Sequence, residues 1–125
     1  MSAPPACYPG RAAIDAYGNG GFRFAGMSHR GSILCLPSGI YAWAPARPED
    51  ISLESLAPAL TEGDGLDLLL LGSGRVGVMP AWELRQSFAD LGVALETMDT
   101  GAACRTYNVL LAEARPIAAA LIAVN

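Results

Sequence analysis

The feature that most constrains this chain is the rhythm of its second half. Leu66 to Leu71 is a continuous apolar run broken by one charge, Asp67. Then come "PAWELRQSFADLG" with helical spacing, a short apolar run Val93 to Glu96, a second helical stretch from Thr100 to Arg115, and a last apolar run from Ile117 to Val124. Apolar residues at Ala81, Leu84, Phe88 and Leu91 fall on one helical face, as do Tyr107, Leu110, Leu111 and Ala114 on the next. Pro80 is placed to open the first helix and Gly92 to close it. Asp99 or Thr100 caps the second, and Pro116 ends it. Strand, helix, strand, helix, strand with short links predicts a largely parallel core covered by helices.

The first half has a different grain. Short β-like runs lie near Ile14 and Tyr17, around Phe22 and Phe24, from Ser32 to Leu36 and from Ile40 to Trp43, separated by turn signals such as "GNGG" and "PSG". They read as an antiparallel β-meander. Between the halves, Pro45 and Pro48 mark a loop. Asp50 or Ser52 is positioned to cap a short helix carrying Leu53, Leu56 and Leu60, interrupted by Pro58. Residues 1–10, with three prolines, read as an extended tail, and 11–125 as one α/β domain. The expected fold is therefore a three-layer α/β domain: an N-terminal β-meander plus β-α-β-α-β around a central mixed sheet.

"LLLLGSGRVG", residues 69–78, spells the dinucleotide pattern G-x-G-x-x-G through Gly72, Gly74 and Gly77. In a dinucleotide fold the helix opens within that pattern, so that its first amides meet the pyrophosphate. Here Val76, Gly77, Val78 and Met79 intervene, and Pro80 supplies no N–H. The stretch reads as a tight glycine turn at a strand end, and no cofactor is expected. Ser73 between glycines is not a nucleophile elbow either, since that pattern is G-x-S-x-G.

Composition removes further classes. All eight basic residues are arginine, which excludes a phosphate-loop lysine, a Schiff base and a lysine base. The formal charge of −4 argues against a nucleic-acid partner. Three scattered cysteines (Cys7, Cys35, Cys104) and one histidine, His29, offer neither a zinc site nor a disulfide framework. No metal is expected. Cys104 near a helix start reads as a buried small residue. The N-terminus has neither a basic nor an apolar targeting segment, and no apolar run is long enough to span a bilayer. A cytoplasmic protein without direct membrane insertion is expected.

What remains is the pair of strand-end loops. Arg105, Asn108, Ala112 and Arg115 follow one another along a helical stripe, and Thr100, Gly101 and Ala102 would present free amides at the helix start. Together with Gly72, Ser73, Gly74 and Arg75 they form a candidate anion- or partner-binding surface, opposed by the plainer reading of a capped helix with a solvated edge.

Taken as a set, "AYGNGGFRFAG", "GSILCLPSG", "LLLLGSG" and "LETMDTGAACRTYNVLLAEARPIAAALIAV" resemble a family of small uncharacterised bacterial and archaeal proteins. That family is related to the mitochondrial NADH:ubiquinone oxidoreductase (complex I) assembly factor number three. The likeness covers roughly residues 12–124 and is densest at Met98, Thr100, Ala103, Arg105, Thr106, Tyr107, Asn108, Leu110, Glu113 and Arg115. It implies a three-layer α/β domain with no established enzyme activity and no known cofactor. It also implies a protein partner, such as a respiratory-complex subunit or assembly protein. The expectation is a non-catalytic interaction protein. The alternative is a binder of a small anion or nucleotide, or an unrecognised enzyme, at loops 72–75 and 100–108.

Overall fold

Five strands build the central sheet. Two come from the meander, β4 (Ser32–Leu36) and β5 (Gly39–Trp43), and three from the second half, β6 (Leu68–Gly72), β7 (Ala94–Met98) and β8 (Ile117–Leu121). Their order across the sheet is β5-β4-β8-β6-β7. β6 runs parallel to both β7 and β8, whereas β4 is antiparallel to β5 and β8, so the sheet is mixed. The computed structural model describes residues 6–125.

The meander does not stay in one piece. β1 (Ile14–Gly18), β2 (Gly21–Phe24) and β3 (Met27–Arg30) form a separate three-stranded antiparallel sheet. β3, "MSHR", carries no period of apolar residues and is exposed along most of its length, which is why the sequence pattern misses it. The turn at Gly31, in the left-handed region at φ +95°, then redirects the chain into the central sheet.

Four successive leucines, Leu68 to Leu71, make sense once both faces of β6 are covered. Leu69 and Leu71 face a core shared with Leu34, Leu36, Ala118 and Ala120, closed by Leu56 and Ala59 and by Leu84 and Phe88. Leu68 and Leu70 face the other way, into a core with Ile33, Cys35, Ala119 and Leu121. That second core is closed by Ala103, Cys104 and Tyr107 of the long helix and by Phe22 and Phe24 of the small sheet. The layers are thus two short helices, the mixed sheet, then the long helix beside the small sheet.

The helices depart from expectation at their ends. α1 is only Ala57–Thr61, with Pro58 in its first turn, where a missing N–H costs nothing. Pro58 therefore starts this helix rather than interrupting it. Ser52 and Ser55 exchange side-chain to backbone hydrogen bonds in a turn before it, and Leu53 is exposed. α2 runs from Trp82 to Ala89, so Pro80 and Ala81 precede it in extended backbone. Its buried face is Leu84 and Phe88 alone; Ala81 and Leu91 lie outside it and are exposed. α3, Thr100–Ala112, stops before Arg115 because Ala114 turns left-handed at φ +58°. Arg115 instead meets Asp67 at 3.3 Å, so it leaves the helical stripe proposed for Arg105 and Asn108.

Of the expected extended tail, residues 1–5 lie outside the described residues. Residues 6–10 are docked: the amide of Cys7 donates to the Ile40 carbonyl at 2.7 Å, and the Ile40 amide donates to the Tyr8 carbonyl at 2.9 Å.

Candidate functional site

The parallel strands β6 and β7 end side by side at Gly72 and Met98, and the loops that follow them meet. They meet by lacing together. The amide of Thr100 donates to the Gly74 carbonyl at 2.8 Å, and the Gly74 amide donates to Thr100 Oγ1 at 3.0 Å. Thr100 Oγ1 donates in turn to the Ile122 carbonyl at 2.7 Å, while the Ile122 amide donates to the Gly72 carbonyl at 2.9 Å. Gly72 is glycine because α3 crosses directly above it: a Cβ there would stand 3.0 Å from the Thr100 Cα and 3.1 Å from the Ala103 Cβ. Where a dinucleotide fold leaves a crevice, this molecule has a buried threonine.

Most of the amides at the start of α3 are also spent. The Asp99 carboxylate accepts from the Ala102 amide at 2.9 Å, the Asp99 carbonyl accepts from the Ala103 amide, and the Thr100 amide is held by Gly74. Of the three amides expected to be free, Thr100, Gly101 and Ala102, the first is taken by the Gly74 carbonyl and the last by the Asp99 cap, which leaves Gly101 alone. Ser73 is buried and equally committed: its hydroxyl donates to the Val76 carbonyl at 2.7 Å and accepts from the Val78 amide at 2.8 Å.

The remaining candidates spread outward. Gly101 lies against the hydroxyl end of Tyr17, and exposed Arg105 reaches the Tyr17 hydroxyl at 3.3 Å. Asn108 ties α3 to the small sheet, accepting from the Ile14 amide and donating to its carbonyl, each at 2.8 Å. Gly72, Ser73, Gly74 and Thr100 are therefore brought together as structure, whereas Arg75 and Arg105 face solvent. Cys104 is buried, and burial pushes its thiol up to about 12, against the opposing pull of Arg105. The single histidine sits elsewhere, with Nδ1 3.7 Å from Cys7 Sγ.

Sequence reasoning missed the residues between the glycine turn and α2. Val76, Met79 and Trp82 are 65%, 70% and 67% exposed, and Val78 beside them is also exposed. The sequence signal was there: "VGVMPAW" is apolar yet fits neither a strand nor a helix period. Between this loop and the residues around Pro48 lies an open groove of about 370 Å³, lined by Leu71, Val78, Met79, Pro80 and Leu84 among others. Among the described residues no cluster of three His, Cys, Asp or Glu side chains is arranged for a metal ion. No helix among them is long and apolar enough to cross a membrane.

Comparison with known proteins places this architecture. The sequence profile of the family described as "Protein of unknown function (DUF498/DUF598)" matches residues 14–122. The chain belongs to that family. An uncharacterized member from Rhodobacter capsulatus is 37% identical over 92% of this chain and 87% of its own length. NADH dehydrogenase (ubiquinone) 1 alpha subcomplex assembly factor 3 of Danio rerio is 35% identical over 87% of this chain, which spans 63% of that factor. A crystal structure of an outer membrane protein from Bartonella henselae is similar at a TM-score of 0.91 and 52% identity. That likeness covers 94% of this chain and 99% of the other. The matched residues 14–122 include both the small sheet and the laced strand ends described above.

Proposed function

We propose that this DUF498/DUF598 protein is a non-catalytic interaction factor that works in the cytoplasm and assists assembly of a respiratory complex. The observation that carries the reading is the apolar loop Val76, Val78, Met79 and Trp82. Four large apolar side chains within seven residues are exposed beside a groove, although the same chain has two well-filled cores to bury them in. Contiguous exposed apolar surface of this kind marks interaction sites, and tryptophan is the side chain that most often anchors them. Arg75 and Arg85 flank the loop in sequence and are exposed, giving the patch a polar rim. The similarity to assembly factor 3 supports a respiratory-complex subunit or assembly protein as the partner. The competing reading, a small anion or nucleotide at loops 72–75 and 100–108, is weakened by the bonds that occupy Gly74, Thr100 and Ala102.

Affinity capture from the native organism tests this, using the parent chain and a Met79→Ser/Trp82→Ser variant. The parent should recover a respiratory-complex subunit or assembly protein, and the variant should lose it while keeping its melting temperature. Equal recovery by the variant, or recovery of no respiratory-complex protein by the parent, overturns the proposal.

A further inference from the structure

The outward face of the three-stranded sheet carries chemistry that the apolar loop does not explain. Phe22 and Phe24 point inward to the core, so Arg23 between them points out. β2 and β3 pair Arg23 with Ser28 and Gly21 with Arg30. Arg23 and Arg30 are therefore diagonal neighbours on one face, with Cα atoms roughly 7–8 Å apart. Between and beside them the surface is bare: Gly18, Gly21, Ala16 and Ser28 leave a hollow of about 370 Å³. Gly21 is held to glycine, since a Cβ would collide with the His29 carbonyl oxygen.

The charge is one-sided. Among the described residues no carboxylate side chain lines the hollow. Among the described residues Arg23 and Arg30 make no ion pair and no hydrogen bond, whereas Arg47 and Arg115 both have acidic partners. Arg75 and Arg85 likewise make no ion pair among the described residues; Arg23 and Arg30 differ in lining one hollow together.

We infer that this hollow binds a small phosphate-bearing anion, gripped between the guanidinium forks of Arg23 and Arg30. A guanidinium matches phosphate oxygens two at a time, and a phosphate has three free oxygens with which to engage two such forks, where a carboxylate has two oxygens in one plane. The hollow's size is at the lower end of small-molecule sites. Its outward-facing floor is glycine, alanine and serine, which leaves room for a small ligand between the two arginines.

The test is a titration of the full chain with inorganic pyrophosphate, followed by backbone amide chemical shifts. Saturable shifts should be confined to residues 16–30 and should weaken as salt is raised. An Arg23→Gln/Arg30→Gln variant should bind at least tenfold more weakly, and Arg23→Lys/Arg30→Lys should fall between. Arg75→Gln should bind like the parent. Both arginines are exposed, so melting temperatures should be unchanged. No saturable shift, equal binding by the double glutamine variant, or equal loss with Arg75→Gln overturns the inference. Equal binding of succinate overturns the phosphate assignment. Binding to anionic phospholipid vesicles without binding to free pyrophosphate overturns the small-molecule assignment.

Discussion

At the scale of single residues, Thr100 does more than any other candidate. Its hydroxyl is fully buried and is the shared partner of the Gly74 amide and the Ile122 carbonyl. Valine has nearly the same shape, so Thr100→Val removes the hydroxyl without opening a cavity. It leaves one buried donor and one buried acceptor unpaired, each costing about 1–3 kcal/mol. We expect a loss of about 2 kcal/mol or more in urea unfolding; a loss below about 0.5 kcal/mol would contradict the lacing. Thr100 stood in the sequence as a helix cap or an anion ligand. That it pins three strand ends was invisible, because Gly74 and Ile122 become its neighbours only when β6 and β8 pair.

At the scale of elements, β6, α3 and β8 were legible because each buries a continuous or periodic apolar set, and the glycine turn because its glycines follow a strand directly. α2 was legible as a helix through Leu84 and Phe88, but its start was not, since Pro80 suits either a first turn or an extended approach. β3 left no pattern, because its side chains are exposed on a small sheet. The splitting of the meander follows from a left-handed turn at Gly31, which sequence shows only as one more glycine. Arg75, Arg105 and Asn108 were singled out for a surface role, yet Asn108 turns inward to hold β1. That hold is one side chain making two bonds, so it gives a prediction about the whole small sheet. In Asn108→Ala, amides of β1 to β3 should exchange with solvent faster while those of β6 and β8 remain protected. Uniform acceleration across both sheets, or none, would show that the two layers are not joined in this way.

At the scale of the molecule, the second core has thiols where hydrocarbon would serve. Burial, with a smaller contribution from the Cys104 charge, pushes the Cys35 thiol far above its ordinary 9.0, and burial pushes Cys104 to about 12. Both folded values are raised, so the stability they confer is complete below about pH 9 and declines as pH rises toward 12. Above pH 9 the unfolded chain sheds these protons and the folded chain does not. Each thiol then lowers stability by about 1.4 kcal/mol per pH unit. The urea midpoint should fall between pH 9 and 11, and a Cys35→Ala/Cys104→Ala variant should show a shallower fall. An unchanged slope in that variant would assign alkaline weakening to other groups.

The strand order β5-β4-β8-β6-β7 also has a consequence for synthesis. β4 leaves the ribosome early, β6 some thirty residues later, and β8, which must lie between them, last of the five. At about 5–20 residues per second, several seconds separate the emergence of β4 from that of β8. Until β8 arrives, one edge of β4, and from its own emergence one edge of β6, has no strand to pair with. The order in which the strands are made thus leaves the middle of the sheet open until the end, and unpaired apolar edges of that kind are where nascent chains stick to one another.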